Sequence, residues 1–159
     1  MSVVDVSLFK PELVFFNFEA PDREVFFKKL SADLMAKGYI KDTWLEAIET
    51  REKNYPTGLD CPAVKVAVPH TDPEHLIKPY IAVVKPLRPI VFEGMAGMGG
   101  EVPTQLIVNL GVKAHEEGQV AILQALMKVF INKEAVNEIM SQSTQQGMVD
   151  ALTKFCGED

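Results

Sequence analysis

The apolar segment at residues 106–110, with the sequence Leu-Ile-Val-Asn-Leu, constrains the fold more than any other part of the chain. A strand with one face in water alternates apolar and polar side chains, whereas a strand covered on both faces is apolar almost throughout. The segment therefore predicts a central strand with other elements packed on each face. Four further β-rich segments supply neighbours for it, at residues 13–18, 64–68, 81–84 and 90–92.

Helical periodicity predicts the elements that cover this sheet. The first helix follows the capping residue Asp22 and ends at Gly38, and the second begins at Asp42 or Thr43 and continues to about Asn54. Three more helices are predicted after the last strand, at residues 119–130, 135–140 and 148–155. In the first of these, a single apolar stripe is predicted to face the core, formed by Val120, Leu123, Leu126, Met127 and Phe130.

These elements predict the α/β class, as a single-domain sandwich in which a mixed sheet of about five strands is flanked by helices. A length of 159 residues is enough for one hydrophobic core, so one domain over residues 1–159 is expected. The net charge of −6 argues against nonspecific nucleic-acid binding. No run of about twenty apolar residues is present, so no membrane insertion is expected, and Asp5, Lys10 and Glu12 interrupt any signal-peptide core.

His70 is the first candidate for chemistry. A residue before proline favours extended backbone, so Pro69 lets the segment 64–68 run straight to the histidine. Residues 71–74, Thr-Asp-Pro-Glu, then match a short helical turn with a cap and a proline at its first position, where backbone N–H groups favour an anion. This context suits a histidine that carries a phosphoryl group. A surface histidine in a strand–helix connection fits the same local pattern.

Arg51 is the second candidate, near the end of the second predicted helix. A guanidinium group binds phosphate oxygens through two parallel hydrogen bonds, and Thr57 and the backbone of Gly58 are further donors close by in sequence. The alternative is a solvated arginine at the negative end of the helix dipole.

Three other groupings have simpler interpretations. His70, Glu74 and His75 match no known ligand spacing and lack a fourth ligand, so no metal or cofactor is predicted. The glycine-rich segment 94–100 lacks the Gly-Lys-Ser/Thr ending of a P-loop and is expected to be a hairpin loop between the strands at 90–92 and 106–110. Cys61 and Cys156 are expected to be reduced thiols, and a thiol–imidazole pair of Cys61 with His70 has no third orienting residue to support it.

The two candidates occur together in a recognisable signature. Residues 51–59 read Arg-Glu-Lys-Asn-Tyr-Pro-Thr-Gly-Leu, and residues 66–71 read Val-Ala-Val-Pro-His-Thr. The combination resembles the fructose/mannitol-type (type-2) IIA components of the bacterial sugar phosphotransferase system, which carry an arginine, a (Phe/Tyr)-Pro-Thr-Gly loop and an apolar strand ending in Pro-His. The resemblance implies that His70 is the phosphorylated residue and Arg51 its phosphate-binding neighbour, with Thr57, Gly58 and Thr71 in support.

Within this family the chain is most similar to galactitol-type members. Residues 36–44, Ala-Lys-Gly-Tyr-Ile-Lys-Asp-Thr-Trp, resemble a helix junction of those proteins. Mannitol- and fructose-type members have a second active-site histidine at the start of the helix after the last strand. Here Gln119 falls at that position, as in galactitol-type members, and His115 lies one turn earlier without an assigned role.

The resemblance implies a relay in the cytoplasm. His70 would take a phosphoryl group from phospho-HPr and pass it to a cysteine of a IIB partner, while a membrane IIC component binds the sugar, with galactitol expected. An apolar rim of Leu59, Val68 and Leu76 is predicted to dock both protein partners. The alternative is a regulatory IIA-like module, in which phosphorylation of His70 controls a target protein.

Overall fold

The computed structural model describes residues 3–97, 100–113 and 116–157. Its regular elements in those ranges are, in chain order, β1 (Phe9–Phe18), α1 (Arg23–Ala36), α2 (Trp44–Asn54), β2 (Gly58–Asp60), β3 (Lys65–Ala67), β4 (Tyr80–Pro86), β5 (Ile90–Glu93), β6 (Glu101–Thr104), β7 (Leu106–Gly111), α3 (Glu116–Phe130), α4 (Lys133–Met140) and α5 (Gln145–Cys156).

The main sheet has five strands in the order β1-β4-β7-β3-β2. It is mixed, because β1 runs parallel to β4 and β3 parallel to β7, whereas β4/β7 and β2/β3 are antiparallel. The predicted α/β sandwich with a mixed five-stranded sheet is thereby confirmed. The strands that make up the sheet differ from the predicted ones. The segment 90–92 belongs to a separate β5–β6 hairpin, and the short strand β2 is the fifth strand of the main sheet.

Strand β7 lies at the centre of the sheet, and all six of its residues are buried, as its apolar sequence predicts. Side chains that alternate along the strands point to opposite faces of the sheet, and they belong to two separate hydrophobic cores. On one face, sheet residues pack with α3, α4 and α5, and the members include Val66, Val83, Val108, Leu126, Val136 and Leu152. On the other face, sheet residues pack with α1 and α2, and the members include Ala67, Ala82, Ile107, Phe26, Leu30, Trp44 and Ile48.

The local signals for α1 and α2 are confirmed. Asp22 caps α1 by accepting a hydrogen bond from the Val25 N–H at 2.9 Å, and Gly38 follows the helix with a φ of 81°, which favours glycine. Helix α2 begins after Thr43, as predicted, but the Thr43 side chain makes no capping hydrogen bond. Among the described residues, no helix combines the length and the apolar character needed to cross a bilayer.

The stripe predicted for α3 is partly wrong. Val120 and Met127 are exposed by 46% and 38%, and the residues that face the core are Ile122, Leu126, Val129 and Phe130. Apolar residues cover more than one side of this helix, so its sequence is compatible with several rotations about the helix axis. Packing against the sheet selects the rotation.

The glycine-rich segment is a hairpin loop, as predicted, but it joins β5 to β6 and not to β7. Residues 98 and 99 of this segment lie outside the described residues. Strand β6 contains Pro103, which weakens the strand signal in the sequence.

Candidate active site around His70

His70 lies just beyond the end of β3, in the position that its sequence context predicts. Its backbone pairs with Leu110 of β7, and the Leu110 N–H donates to the Pro69 carbonyl at 3.1 Å. The side chain is 6% exposed, so the imidazole ring is held largely inside the protein. A ring in this environment has few alternative orientations.

A backbone carbonyl sets the tautomer of His70. Nδ1 lies 2.9 Å from the Val68 carbonyl oxygen, and since a carbonyl only accepts, Nδ1 must carry the proton. Nε2 is then the unprotonated nitrogen with a lone pair. Burial lowers the pKa of His70 below 6.5, and the positive charge of Arg51 lowers it further, while the Val68 contact and Asp72 oppose the shift. The ring is therefore neutral at pH 7, which is the nucleophilic form.

Two buried amide side chains fix the backbone on either side of the histidine. Asn109 donates to the Pro69 carbonyl at 2.9 Å, and the Tyr80 hydroxyl in turn donates to Asn109 at 2.7 Å. Gln119 donates to the Thr71 carbonyl at 3.1 Å, which ties the first turn of α3 to the site. The segment around His70 is thus anchored to β4, β7 and α3.

Arg51 is brought to the same place from the C-terminal half of α2. Its Nη1 donates to Asp72 at 3.1 Å, and the two side chains are 29% and 60% exposed. The guanidinium carbon also lies 5.9 Å from the centre of the Tyr55 ring. A guanidinium has five N–H donors, so one contact with Asp72 does not exhaust it. An ion pair this open is weak, which allows another anion to compete for the arginine.

The turn after His70 is the predicted short one, a single 3₁₀ turn with Asp72 as the cap residue and Pro73 at its start. The Asp72 side chain makes no capping hydrogen bond there, because it is engaged with Arg51. Thr71 is buried, and its hydroxyl donates to the Asp72 carbonyl at 3.1 Å. A direct contact of Thr71 with phosphate stays a prediction.

Thr57 uses both of its donors inside the protein. Its N–H and its hydroxyl donate to the Glu52 carboxylate at 2.7 and 2.8 Å, and its hydroxyl oxygen accepts from the Val68 N–H at 3.2 Å. The hydroxyl thereby supports the strand that leads to His70, and donation from Thr57 to phosphate stays a prediction. Gly58 is needed for space, because a Cβ there would lie 2.6 Å from the Glu93 carbonyl oxygen. Its role as a backbone donor also stays a prediction.

Glu52 and Asn109 contact this site and were not predicted from the sequence, and Asp72 was predicted only as part of the turn after His70 and not as the partner of Arg51. A signal existed for Asn109, since it is a polar residue inside the apolar segment 106–110 and a buried amide requires partners. Glu52 directly follows Arg51, but on a helix such a neighbour points away from it, and only the fold turns the Glu52 side chain toward Thr57.

The other sequence candidates lie elsewhere. The His75 Nδ1 pairs at 2.9 Å with the hydroxyl of Thr43, the residue that precedes α2. In the part of the chain that the structure describes, no group of three or more His, Cys, Asp or Glu side chains is placed to hold a metal ion. His115 lies outside the described residues. The Cys61–His70 pair does not account for the orientation of the imidazole, which the Val68 carbonyl explains.

The predicted docking rim is wrong in two of its three residues. Val68 and Leu76 are 1% and 2% exposed and belong to the two cores, and Leu59 is partly buried. Val68 packs with the core on the α3–α5 face of the sheet and Leu76 with the core on the α1–α2 face, so neither is available to a partner. Tyr55, whose ring lies beside Arg51, is an apolar side chain at the site that is exposed, by 70%.

Known structures share this fold. A nitrogen regulatory protein IIA-Ntr from Neisseria meningitidis is superimposable with a TM-score of 0.73 at 20% identity, covering 93% of this chain and 98% of that one. The mannitol enzyme IIA of Escherichia coli, in a complex with phosphorylated mannitol enzyme IIB, gives a TM-score of 0.66 at 19% identity, covering 92% and 94%. The fold is therefore that of the IIA proteins of the phosphotransferase system.

The sequence defines the family. The model of the phosphoenolpyruvate-dependent sugar phosphotransferase system EIIA 2 family matches residues 7–155, and the chain belongs to that family. It is thus a phosphotransferase phosphocarrier of the type-2 IIA kind. The galactitol-specific EIIA component of Escherichia coli K12 is 25% identical over 134 residues, which cover 84% of this chain and 87% of that protein.

Proposed function

We propose that this chain accepts a phosphoryl group on Nε2 of His70 from phospho-HPr and passes it to a cysteine of a IIB partner, as a cytoplasmic carrier for the uptake and phosphorylation of galactitol. The observation that carries the proposal is the bond from Nδ1 of His70 to the Val68 carbonyl, which leaves Nε2 unprotonated. Burial that lowers the pKa of His70 supports it, because the nucleophile is then neutral at pH 7.

The proposed transfer keeps the proton on Nδ1 throughout. The lone pair of Nε2 attacks the phosphorus of the HPr phosphohistidine, the new N–P bond forms as the old one breaks, and the HPr imidazole leaves. In the second step the IIB thiolate attacks the same phosphorus, and His70 leaves as the neutral ring. Charge on the transferred oxygens is dispersed in the transition state, so positioning and cationic contacts supply most of the catalysis.

Arg51 is the cation available for those oxygens. Its pair with Asp72 is half-exposed, and the incoming phosphoryl group carries more charge than one carboxylate, so the guanidinium can turn to the phosphate at small cost. Asp72 then acts as the group that keeps Arg51 beside His70 between reactions. The Gly58 N–H and Thr71 remain candidate donors to the same oxygens.

Galactitol as the sugar is supported by the sequence relative of that specificity and by Gln119, which stands where mannitol- and fructose-type members have histidine. Gln119 is buried and anchors the Thr71 carbonyl, so it holds the site together without adding a titratable group. Transfer to a IIB protein is supported by the similar fold of the Escherichia coli mannitol IIA, which was solved with phosphorylated IIB.

The test is phosphorylation with phosphoenolpyruvate, enzyme I and HPr, followed by intact mass. We expect the wild type to gain one acid-labile phosphoryl group, His70→Ala to gain none, and the matched control His75→Ala to gain one, since the His75 ring is engaged with Thr43. Labelling of a folded His70→Ala protein would overturn the site assignment.

A second stage tests the acceptor and the sugar. Phosphorylated protein is mixed with galactitol-type and mannitol-type IIB proteins, and the transferred phosphoryl group is followed. Faster transfer to galactitol IIB is expected. A protein that is phosphorylated on His70 but passes the group to no IIB protein would be a regulatory module instead.

A further inference from the structure

A buried chain of hydrogen bonds joins Glu52 to the His70 ring. The Glu52 carboxylate accepts from the Thr57 hydroxyl at 2.8 Å, the hydroxyl oxygen accepts from the Val68 N–H at 3.2 Å, and the Val68 carbonyl accepts from His70 Nδ1 at 2.9 Å. Glu52, Thr57, Val68 and His70 are exposed by 4%, 4%, 1% and 6%. Water therefore does not replace these partners readily.

The direction of every bond in the chain follows from its chemistry. The Val68 N–H can only donate, so the Thr57 hydroxyl oxygen accepts from it and must send its own hydrogen to Glu52. The Thr57 N–H donates to the second oxygen of Glu52 at 2.7 Å. When Glu52 is ionised, both carboxylate oxygens are thus acceptors, and each donor in the chain points away from His70 toward the carboxylate.

Among the described residues, no ion pair involves the Glu52 carboxyl group. The neighbouring cation Arg23 contacts Glu93 at 3.8 Å, and the carboxyl oxygens of Glu52 accept from the N–H and the hydroxyl of Thr57. A buried carboxylate is costly to the fold unless its acceptors are used. The arrangement therefore indicates that the carboxylate is kept for what it does to Thr57.

We infer that Glu52 is a positioning residue for phosphoryl transfer. Glu52 orients the Thr57 hydroxyl, and the hydroxyl fixes the backbone of Val68. The Val68 carbonyl then holds the proton of His70 on Nδ1 and leaves Nε2 as the nucleophile. This inference rests on the proposed function of His70 as the phosphoryl acceptor. Glu52 touches neither the ring nor the phosphoryl group, and it acts through two intervening residues.

Glu52→Gln is the sharpest perturbation. An amide has nearly the shape of the carboxylate but only one acceptor oxygen, so one of the two Thr57 donors must face an NH₂ group. The Thr57 hydroxyl then loses its orientation, and the Val68 N–H loses its acceptor. The matched control is Glu49→Gln, which removes a carboxylate one turn earlier on α2 and in the same cleft, while both Thr57 donors go to Glu52.

Two measurements follow the ring and the backbone directly. Two-bond proton–nitrogen NMR correlations report the His70 tautomer, and hydrogen exchange reports the protection of the Val68 amide. In the wild type and in Glu49→Gln we expect the proton on Nδ1 and a protected amide. In Glu52→Gln we expect a mixture of tautomers and amide exchange at least roughly 10-fold faster.

The rate of transfer from phospho-HPr should fall roughly 10- to 100-fold in Glu52→Gln, with the loss in the maximal rate and not in the half-saturating HPr concentration. A folded Glu52→Gln protein with the wild-type tautomer, the wild-type Val68 protection and the wild-type rate would overturn the inference. If this variant does not fold, Thr57→Val and Thr57→Ser decide it. Thr57→Ser keeps the hydroxyl, so its His70 ring should retain the proton on Nδ1. Thr57→Val lacks the hydroxyl, so its His70 ring should lose that preference. The same tautomer in both variants would also overturn the inference.

The tautomer and exchange measurements need no phosphoryl donor. If the wild type took no phosphoryl group from phospho-HPr, the proposed function would fail, while the NMR comparison of Glu52→Gln with Glu49→Gln would still decide whether Glu52 positions the His70 ring. The failure of one proposal is therefore distinguishable from the failure of the other.

Discussion

The buried carboxyl group of Glu52 predicts how the stability of this protein depends on pH. Burial raises the pKa of Glu52 from 4.5 to about 7, although the two bonds from Thr57 and the charge of Arg23 lower it, and the charge of Glu93 adds to the rise. A group that holds its proton more tightly in the folded state stabilises the fold at low pH, and this contribution is lost as the pH rises through the folded-state pKa.

The magnitude follows from the shift. A rise from 4.5 to about 7 corresponds to roughly 3 kcal/mol of unfolding free energy. Most of this is lost between about pH 5 and pH 7, and little changes above about pH 8, where Glu52 is ionised in both states.

Urea unfolding of the wild type and Glu52→Gln across this range is the assay. The difference in unfolding free energy, wild type minus variant, should fall by about 2–3 kcal/mol from about pH 5 to about pH 8, or roughly 1 M in urea midpoint. His70 and the other titrating groups are common to both proteins and cancel. The reasoning would be refuted if the difference in unfolding free energy between wild type and Glu52→Gln were constant with pH, because Glu52 would then have the same pKa in the folded and unfolded states. It would also be refuted if that difference grew with pH, because the pKa of Glu52 would then be lower in the folded state.

Three further measurements address Arg51, His70 itself and Gln119. Arg51→Lys keeps the charge but loses the planar fork, so transfer from phospho-HPr should slow roughly 10- to 1000-fold with little change in melting temperature; an unchanged rate removes Arg51 from the site. The His70 ring should titrate by NMR with a pKa below 6.5, and a midpoint at or above that value contradicts the burial argument. Gln119→Ala should cost about 1–3 kcal/mol in urea unfolding, because it leaves the Thr71 carbonyl without its donor, and a negligible loss would exclude this anchor.

The parts of the fold that were predictable have strong local signals. Asp22 and Gly38 delimit α1 because a side-chain cap and a left-handed backbone depend on the adjacent residues alone. The two short strands β2 and β6 were not predicted. Three or four residues are too few to show an alternating pattern, and the pairing of Gly58 with Ala67 depends on β3 being present beside it.

The candidate site divides in the same way. His70 and Arg51 are indicated by residue type and by neighbours such as Pro69, which act through the local backbone. The contacts that tie the site to distant residues were beyond reach from the sequence, since Arg51 with Asp72 spans 21 positions and Gln119 with Thr71 spans 48. The error at Val68 and Leu76 has the same origin, because their burial depends on helices distant in sequence.

The sequence by itself determined that a doubly covered strand lies at the centre of an α/β sandwich, and that a histidine follows a strand end with an arginine on the preceding helix. These features depend on hydrophobic pattern, on the restriction that proline places on its neighbour, and on capping, all of which act over a few residues. Only the tertiary structure decided which nitrogen of His70 carries the proton, that Asp72 holds Arg51, and that the donors of Thr57 serve Glu52. The Arg51–Asp72 pair joins residues 21 positions apart on separate elements. The His70–Val68 and Thr57–Glu52 bonds join residues that are close in sequence, but they depend on side-chain orientations that burial in the assembled fold imposes.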